Sequence, residues 1–300
     1  MLIHQYRPTC WLRVTGDDVA TYLQGQFTND LRQTKGAAVY GLWLNQKGKV
    51  LADSFVLKRA EGEFTVVSIT APAADIKARL EEYIVADDVT VSEETSQVHG
   101  LVISGPGCGE HVRQGVGVVP SAGQFIQQEN LLVFAGHRSR EDNFELIGSE
   151  ALIEAARHKF LAMGGREAGT EEMEFIRISA GLPSVPQDIG PGDLPNEGGL
   201  EDGAISFTKG CYLGQEVMAR LKNLGQVRRR LRRIHGTGAA PVALTPLYQG
   251  ERQVGQVRSS ARQESEFVAL AMLSLVNLDP GADLSLAPNA APTIRIISHG

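Results

Sequence analysis

One stretch limits the architectures open to this chain more than any other. Residues 181–206, GLPSVPQDIGPGDLPNEGGLEDGAIS, hold four prolines and six glycines. Proline locks φ and removes a backbone donor, and glycine carries a large entropic cost when ordered, so no regular element is expected to run through them. A loop of this length inside a compact protein is uncommon unless it is functional or disordered. It delivers the chain to SFTKGCYLGQE, Ser206 to Glu216, where one of only three cysteines sits beside a lysine, between Gly210 and Gly214, just ahead of a helix-like segment.

Before the loop, strand and helix patterns alternate. TGDDVATYLQGQFTNDL reads as a strand end and then a helix capped near Asp17, with Val19, Tyr22, Leu23 and Phe27 at helical spacing. YGLWLNQKGKVLADSFVLKR has two alternating runs joined by Asn45-Gln46-Lys47-Gly48, a hairpin signal in which Gly48 supplies a positive φ. FTVVSITAPAADIKARLEEYI gives a strand and a helix opened by Pro72, apolar at Ile76, Leu80, Tyr83 and Ile84. Further strand-like runs lead to a helix at 151–163 and a second that starts at Thr170 and stops at Gly181. From about residue 236 the texture changes to short runs such as TPLYQG, RQVGQVRSS and FVALAML between Gly, Pro and Asp turns, which predicts a small antiparallel barrel or sandwich.

At 300 residues the chain is long enough for two or three compact units. No window approaches the roughly 18 consecutive apolar residues of a membrane span, and MLIHQYRPTCWLRV lacks the pattern of a secretory signal, so a cytoplasmic location is expected. A formal charge of −6 argues against a protein that coats nucleic acid, and direct nucleic-acid binding is not expected. Cys10, Cys108 and Cys211 cannot build a disulfide framework, and with no CxxC and no paired histidines a metal site is not expected.

A thiol in the turn before a helix, with Lys209 beside it, has its thiolate favoured by backbone dipoles and by the neighbouring charge. Cys211 is therefore a candidate reactive thiol or soft-metal ligand; the competing expectation is a small buried hydrophobe in a glycine-rich turn. VRRRLRRIHG carries five arginines among residues 228–233, which reads either as a solvated strand or as a grip on phosphate or carboxylate groups. GPGCGE at 105–110 lacks the spacing of a phosphate-binding loop and fits a turn.

SFTKGCYLGQEVMAR closely resembles the K-G-C-Y-x-G-Q-E signature of the YgfZ family of folate-binding proteins, relatives of the glycine-cleavage T-protein that include mitochondrial iron-sulfur assembly factors. VTGDDVATYLQGQFTNDL resembles the family's N-terminal L-Q-G-Q-x-T-N-D segment, LWLNQKGKVLADSFV its hairpin, IRISAGLPS its R-I-x-x-G-x-P helix end and LPNEGGLEDGAISFTKGC its P-x-E-x-G-L approach to the cysteine. GQVRSSA is similar to the family's C-terminal glycine-turn strand, so the matches span most of the chain in the family's order.

The resemblance implies an α+β fold: a ferredoxin-like body in two subdomains over residues 1–235, about 1–48 plus 150–235 and about 49–149, and a C-terminal antiparallel β-barrel over 236–300. It implies a central pocket for tetrahydrofolate and a role in assembling or repairing iron-sulfur clusters, with cluster proteins or their assembly machinery as partners and a secondary effect on tRNA modification. Residue by residue, Cys211 matches the required thiol and Lys209 its neighbour, with Gly210, Tyr212, Gly214, Gln215 and Glu216 as framework. Arg177 and Glu197 match positions around the folate pocket, and Gln24, Gln26, Thr28, Asn29 and Asp30 match the N-terminal motif. Tyr212 and Trp43 are candidates to stack on a pterin or to sit in the core. T-proteins carry a catalytic aspartate in an N-A-x-N context after the strand matching FTVVS; this chain reads ITAPAADIKAR there, with Asp75 nearby, and has Ser179 where T-proteins tend to have glutamate. These departures argue against aminomethyl transfer and leave a folate-dependent one-carbon transferase as the alternative.

Overall fold

The hairpin forms as its sequence requires. Asn45 Oδ1 accepts from the backbone N–H of Lys47 (2.9 Å) and of Lys49 (3.0 Å), and Gly48 takes φ +69° to close the turn. The strands on either side, Ala38–Leu44 and Val50–Ala60, pair antiparallel. They continue through Glu63–Ser68 and Cys10–Thr15 to Thr90–Glu93 in a five-stranded sheet. Helices Val19–Gln26 and Ala73–Glu81 cover one face, packing Tyr22, Leu23 and Ile76 against Leu12, Val14 and Val66. In the computed structural model, which describes residues 1–225 and 227–297, this sheet is one of three.

A six-stranded sheet runs Arg166–Glu167, Leu2–Tyr6, His99–Ser104, Asn143–Gly148, Leu131–Ala135 and Phe125–Gln128, with helices Cys108–Val116 and Glu150–Ala162 on its outer face. The inner faces of the two sheets meet through Trp11, Phe55 and Val67 on one side and Leu132, Phe134 and Ile147 on the other. The third sheet, Pro246–Gln249, Arg252–Gln263, Glu266–Ser274, Arg229–Thr237 and Ile294–Ile297, is antiparallel throughout. It curls until its edges are bridged by Tyr248↔Ser285 and Leu284↔Ile294, around a core of Ile234, Val257, Phe267 and Ala269.

Three expectations need correction. The subdomain division at 48/49 would cut the hairpin, whose strands share a ladder from Ala38↔Leu57 to Leu44↔Val50; the sheets instead divide the body into roughly 10–93 and 1–6 plus 99–167. The boundary at 235/236 falls inside Arg229–Thr237, which pairs with Glu266–Ser274 along its whole length, so the C-terminal sheet begins at Arg229. The loop 181–206 contains two single-turn helices, Pro195–Gly198 and Glu201–Ala204. Pro195 occupies the first helical position, where no N–H is needed, and Glu197 Oε2 reaches back to accept from the Leu194 N–H at 2.7 Å. GPGCGE forms the turn into Cys108–Val116, as its composition predicts.

Helix Thr170–Ala180 packs against Arg252–Gln263 and Glu266–Ser274 and so joins the body to the C-terminal sheet. One apolar cluster makes the joint: Leu42 and Leu44 from the hairpin, Ile178 from the helix, Val185 and Ile189 from the loop, and Leu231, Leu270 and Met272 from the third sheet.

Candidate functional site

The cysteine loop is held by atoms far away in sequence. The buried Lys209 ammonium donates to three backbone carbonyls, those of Gln24 (2.7 Å), Phe27 (2.6 Å) and Asn29 (2.8 Å). Around it, the Ser206 N–H donates to the Thr28 carbonyl, the Leu213 N–H to the Gly25 carbonyl, and Thr28 Oγ1 to the Ala204 carbonyl. Gly214, at φ +84°, sits so close to the hairpin that a Cβ there would lie 2.9 Å from the Asn45 carbonyl oxygen. The N-terminal L-Q-G-Q-x-T-N-D segment, the hairpin turn and the K-G-C-Y segment are thus one structural unit.

Cys211 lies on the outside of that unit and is exposed, which removes the buried-hydrophobe reading. The basis expected for its reactivity also changes. The helix begins at Gln215 with Gly214 as its cap, so Cys211 precedes it by several residues. The Lys209 side chain turns inward, its three donors met by carbonyls, rather than toward the thiol. Burial pulls the Lys209 pKa down to about 8, which leaves it charged at neutral pH. Its role in this geometry is to fix the loop that presents Cys211.

A second feature lies where the two body sheets, helix Thr170–Ala180 and the long loop come together. A cavity of about 80 Å³, room for roughly five to eight waters at about 10–15 Å³ each, is lined by Tyr40, Asp53, Phe55, His137, Arg177 and Pro183, among others. Tyr40 Oη donates to Asp53 Oδ2 at 2.9 Å and Ser68 Oγ to Asp53 Oδ1 at 3.3 Å. Burial raises the Asp53 pKa to about 6, and those two bonds only partly oppose it. Burial and the nearby Arg138 charge lower the His137 pKa to about 4. His137 Nε2 lies 4.0 Å from Asp53 Oδ2, and the two shifts, down for the imidazole and up for the carboxyl, both disfavour an ion pair there, although the 39% exposure of the His137 side chain softens the first. His137 Nδ1 is buried with no partner, and the ring packs 4.0 Å from that of Tyr40 and 5.1 Å from that of Phe55.

The cavity's guanidinium groups are neutralised. Arg177 Nη1 donates to Asp188 Oδ2 (2.7 Å) and to the Leu182 carbonyl, its Nε and Nη2 grip Glu174, and Nη2 reaches Ser259 of the C-terminal sheet at 3.3 Å. Burial opposes its charge, but the bonds to Glu174 and Asp188 outweigh that and raise its pKa. Arg138 pairs with the buried Glu145, which also accepts from Tyr6 Oη at 2.6 Å.

The structure distributes the sequence-predicted residues over several places. Arg177 lines the cavity. Cys211, Lys209, Tyr212 and Gln215 belong to the cysteine loop, where Gln215 Oε1 accepts from the Tyr212 N–H at 3.3 Å. Tyr212 and Trp43 are core aromatics, 6% and 0% exposed, so the core assignment holds for both. Glu216 is exposed in the first turn of its helix. Gln26 Oε1 accepts from Arg79 Nη2, and Asn29 Nδ2 donates to the carbonyl of Tyr40 at 2.8 Å, which links the cysteine unit to the residue that holds Asp53. Glu197 lies away from the cavity, where it accepts from Arg229, which also reaches Asp193. Asp75 is exposed and does not line the cavity; the carboxyl that does is Asp53. The signal for it was present, a charged residue inside the apolar strand run VLADSFVL. His137 had no comparable signal.

Residues 9–209 match the family model described as the GCVT N-terminal domain, and residues 228–296 match that of the CAF17 C-terminal beta-barrel domain. The chain is 25% identical over 301 residues to a Cryptococcus neoformans protein named iron-sulfur cluster assembly factor IBA57 homolog, mitochondrial, with 94% of this chain and 77% of that one covered. It is 26% identical over 255 residues to the tRNA-modifying protein YgfZ of Vibrio atlanticus, covering 82% and 74%. The crystal structure of glycine cleavage system aminomethyltransferase T from Bartonella henselae superposes with a TM-score of 0.77 at 19% identity, covering 94% of this chain and 81% of that one, which establishes a shared fold.

Proposed function

The chain belongs to the GCVT family, with a CAF17-type C-terminal barrel, and from that premise we propose that it binds tetrahydrofolate and supports iron-sulfur cluster assembly or repair, with Cys211 as its functional thiol and an indirect effect on tRNA modification. The observation that carries this reading is the exposed Cys211 on a loop pinned by Lys209 to the other family motif. The names borne by the relatives, an iron-sulfur cluster assembly factor and a tRNA-modifying protein, agree with it. A cytoplasmic setting, with its reducing thiol pool, would keep Cys211 free.

The cavity suits the folate part of the proposal. A planar heterocycle needs aromatic faces and a few placed polar groups; Tyr40, Phe55 and His137 offer the first, and the Asp53 carboxyl and the partnerless His137 Nδ1 the second. When bound, tetrahydrofolate would supply one-carbon carriage on its reduced ring. The protein's own groups hold the ring, exclude water and keep a carboxyl that is ionised at neutral pH within hydrogen-bond reach of Tyr40.

A second reading, a folate-dependent one-carbon transferase, is favoured by one observation: Asp53, with a pKa raised to about 6, is poised for general acid-base work. The two are separated by experiment. Cys211→Ser should abolish rescue of a cluster-dependent enzyme under oxidative stress while tetrahydrofolate binding by Cys211→Ala stays equal to wild type. Undiminished rescue would remove the thiol's role, and turnover of tetrahydrofolate with a methyl or aminomethyl donor by the Cys211 variant would favour the transferase.

A further inference from the structure

No residue of the cysteine loop lines the central cavity, yet an unbroken series of hydrogen bonds runs from one to the other through Asn29. In the cavity, Tyr40 Oη donates to Asp53 Oδ2 at 2.9 Å. The backbone carbonyl of the same Tyr40 accepts from Asn29 Nδ2 at 2.8 Å. The backbone carbonyl of Asn29 in turn accepts from Lys209 Nζ at 2.8 Å, and Lys209 is two residues from Cys211.

The rest of the Asn29 side chain is as fully engaged. Nδ2 also donates to the Gly203 carbonyl on the long loop at 3.3 Å, and Oδ1 accepts from the Asp30 N–H at 2.9 Å. Two donors and an acceptor on one short side chain are the inventory of an amide: aspartate has no donor, and glutamine is a methylene longer. Thr28 Oγ1 makes comparable bonds, to the Ala204 carbonyl (2.6 Å) and from the Leu42 N–H (2.8 Å), but Leu42 packs in the joint to the C-terminal sheet and does not line the cavity. Among the described residues, the bond from Asn29 to Tyr40 is the only hydrogen bond that joins residues 24–30 or 206–215 to a residue lining the cavity.

We infer that Asn29 is a positioning residue that couples occupancy of the cavity to the state of Cys211. The inference rests on the folate reading of the cavity given above. A ring held against Tyr40 and Asp53 restrains Tyr40, and Asn29 passes that restraint to the carbonyl that Lys209 holds, so the loop stiffens. A bulky adduct on Cys211 needs the loop to give, and ligand and adduct therefore oppose one another. Such a coupling is reciprocal: the factor by which the ligand disfavours the adduct equals the factor by which the adduct weakens the ligand. Removing the thiol by Cys211→Ala leaves the series of bonds intact and does not engage it.

The test uses the full chain, with glutathione disulfide as the source of the adduct and folinate, a tetrahydrofolate that resists oxidation, as the ligand. The Cys211 thiolate attacks one sulfur of the disulfide, the existing S–S bond breaks, a Cys211–glutathione disulfide forms and glutathione thiolate leaves. Cys10 and Cys108 are buried, so intact-mass spectrometry counts the adduct at Cys211. Saturating folinate should lower the equilibrium constant for the adduct at least about fivefold, and calorimetry should find folinate weaker on the adducted chain by the same factor. Asn29→Ala should bring both factors to about 1, whereas Thr28→Val, which loosens the same segment without reaching the cavity, should keep them. Equal folinate affinity in the two states of the wild type, a factor that survives Asn29→Ala, or a factor lost as fully in Thr28→Val would each overturn the inference. Absence of folinate binding by the wild type would overturn it differently, by removing the folate reading on which it stands. The two measurements on the wild type decide the matter even if a variant fails to fold.

Discussion

Lys209 Nζ donates to the carbonyl of Phe27 at 2.6 Å across 182 residues of chain. Two sequence motifs that look independent are therefore one object, and an exposed thiol inherits its position from a buried cation.

Lys209→Met should destabilise the protein by about 2–4 kcal/mol, because three carbonyls lose their donor while the hydrophobic stem is kept. Chemical denaturation reads the loss. The reaction rate of Cys211 with a disulfide reagent should rise as the loop loosens, and Cys211→Ser alone should leave the unfolding midpoint within experimental error because that side chain is exposed.

Asp53→Asn should stabilise the protein at pH 7. The folded-state pKa, raised to about 6, exceeds the ordinary carboxyl value of about 3.9, so between those values the folded state binds more protons than the unfolded one. This group's contribution to stability thus falls as pH rises through the window. The variant's gain, at most about 2–3 kcal/mol, should appear above pH 6 and vanish below about pH 4 in pH-dependent melts. If the ionised carboxyl receives a ligand N–H, tetrahydrofolate affinity of the wild type should drop as pH falls through about 6, and that of the variant should stay flat.

Arg177→Met should cost about 3–5 kcal/mol, since it leaves the fully buried Asp188 and its neighbour Glu174 without a cation. It also removes the bond to Ser259, so limited proteolysis should release the C-terminal sheet earlier than in wild type. Ser259→Ala, which loses one 3.3 Å bond, should cost no more than about 1 kcal/mol.

Gly214→Ala should destabilise by about 1–3 kcal/mol, as a left-handed residue acquires a Cβ 2.9 Å from the Asn45 carbonyl. The same change should lower Cys211-dependent activity more than it lowers tetrahydrofolate binding, a split that a direct comparison of the two assays would reveal.

Much of the fold was legible in the chain because its signals are local. The hairpin at Asn45 to Gly48, the helix opened by Pro72 and the change to short strands near the C-terminal end depend on neighbouring residues, and the structure contains all three. Which strands share a sheet was not legible, because strand pairing is set by contacts between distant residues; a division at 48/49 would cut the ladder from Ala38↔Leu57 to Leu44↔Val50. Lys209 is two residues from Cys211 in sequence, yet its ammonium is taken up by the carbonyls of Gln24, Phe27 and Asn29.

The sequence by itself determined most element types and the family motifs, with Cys211 inside one of them, because these depend on residue type and short-range spacing. Only the tertiary structure decided that Cys211 is exposed, that Arg177 and Glu197 are held by different ion pairs in different places, and that Asp53 and His137 face one cavity. The physical reason is that burial and charge compensation belong to the packed assembly: the same carboxyl is an ordinary acid on a solvated strand and a group titrating near pH 6 once Tyr40, Phe55 and His137 close around it.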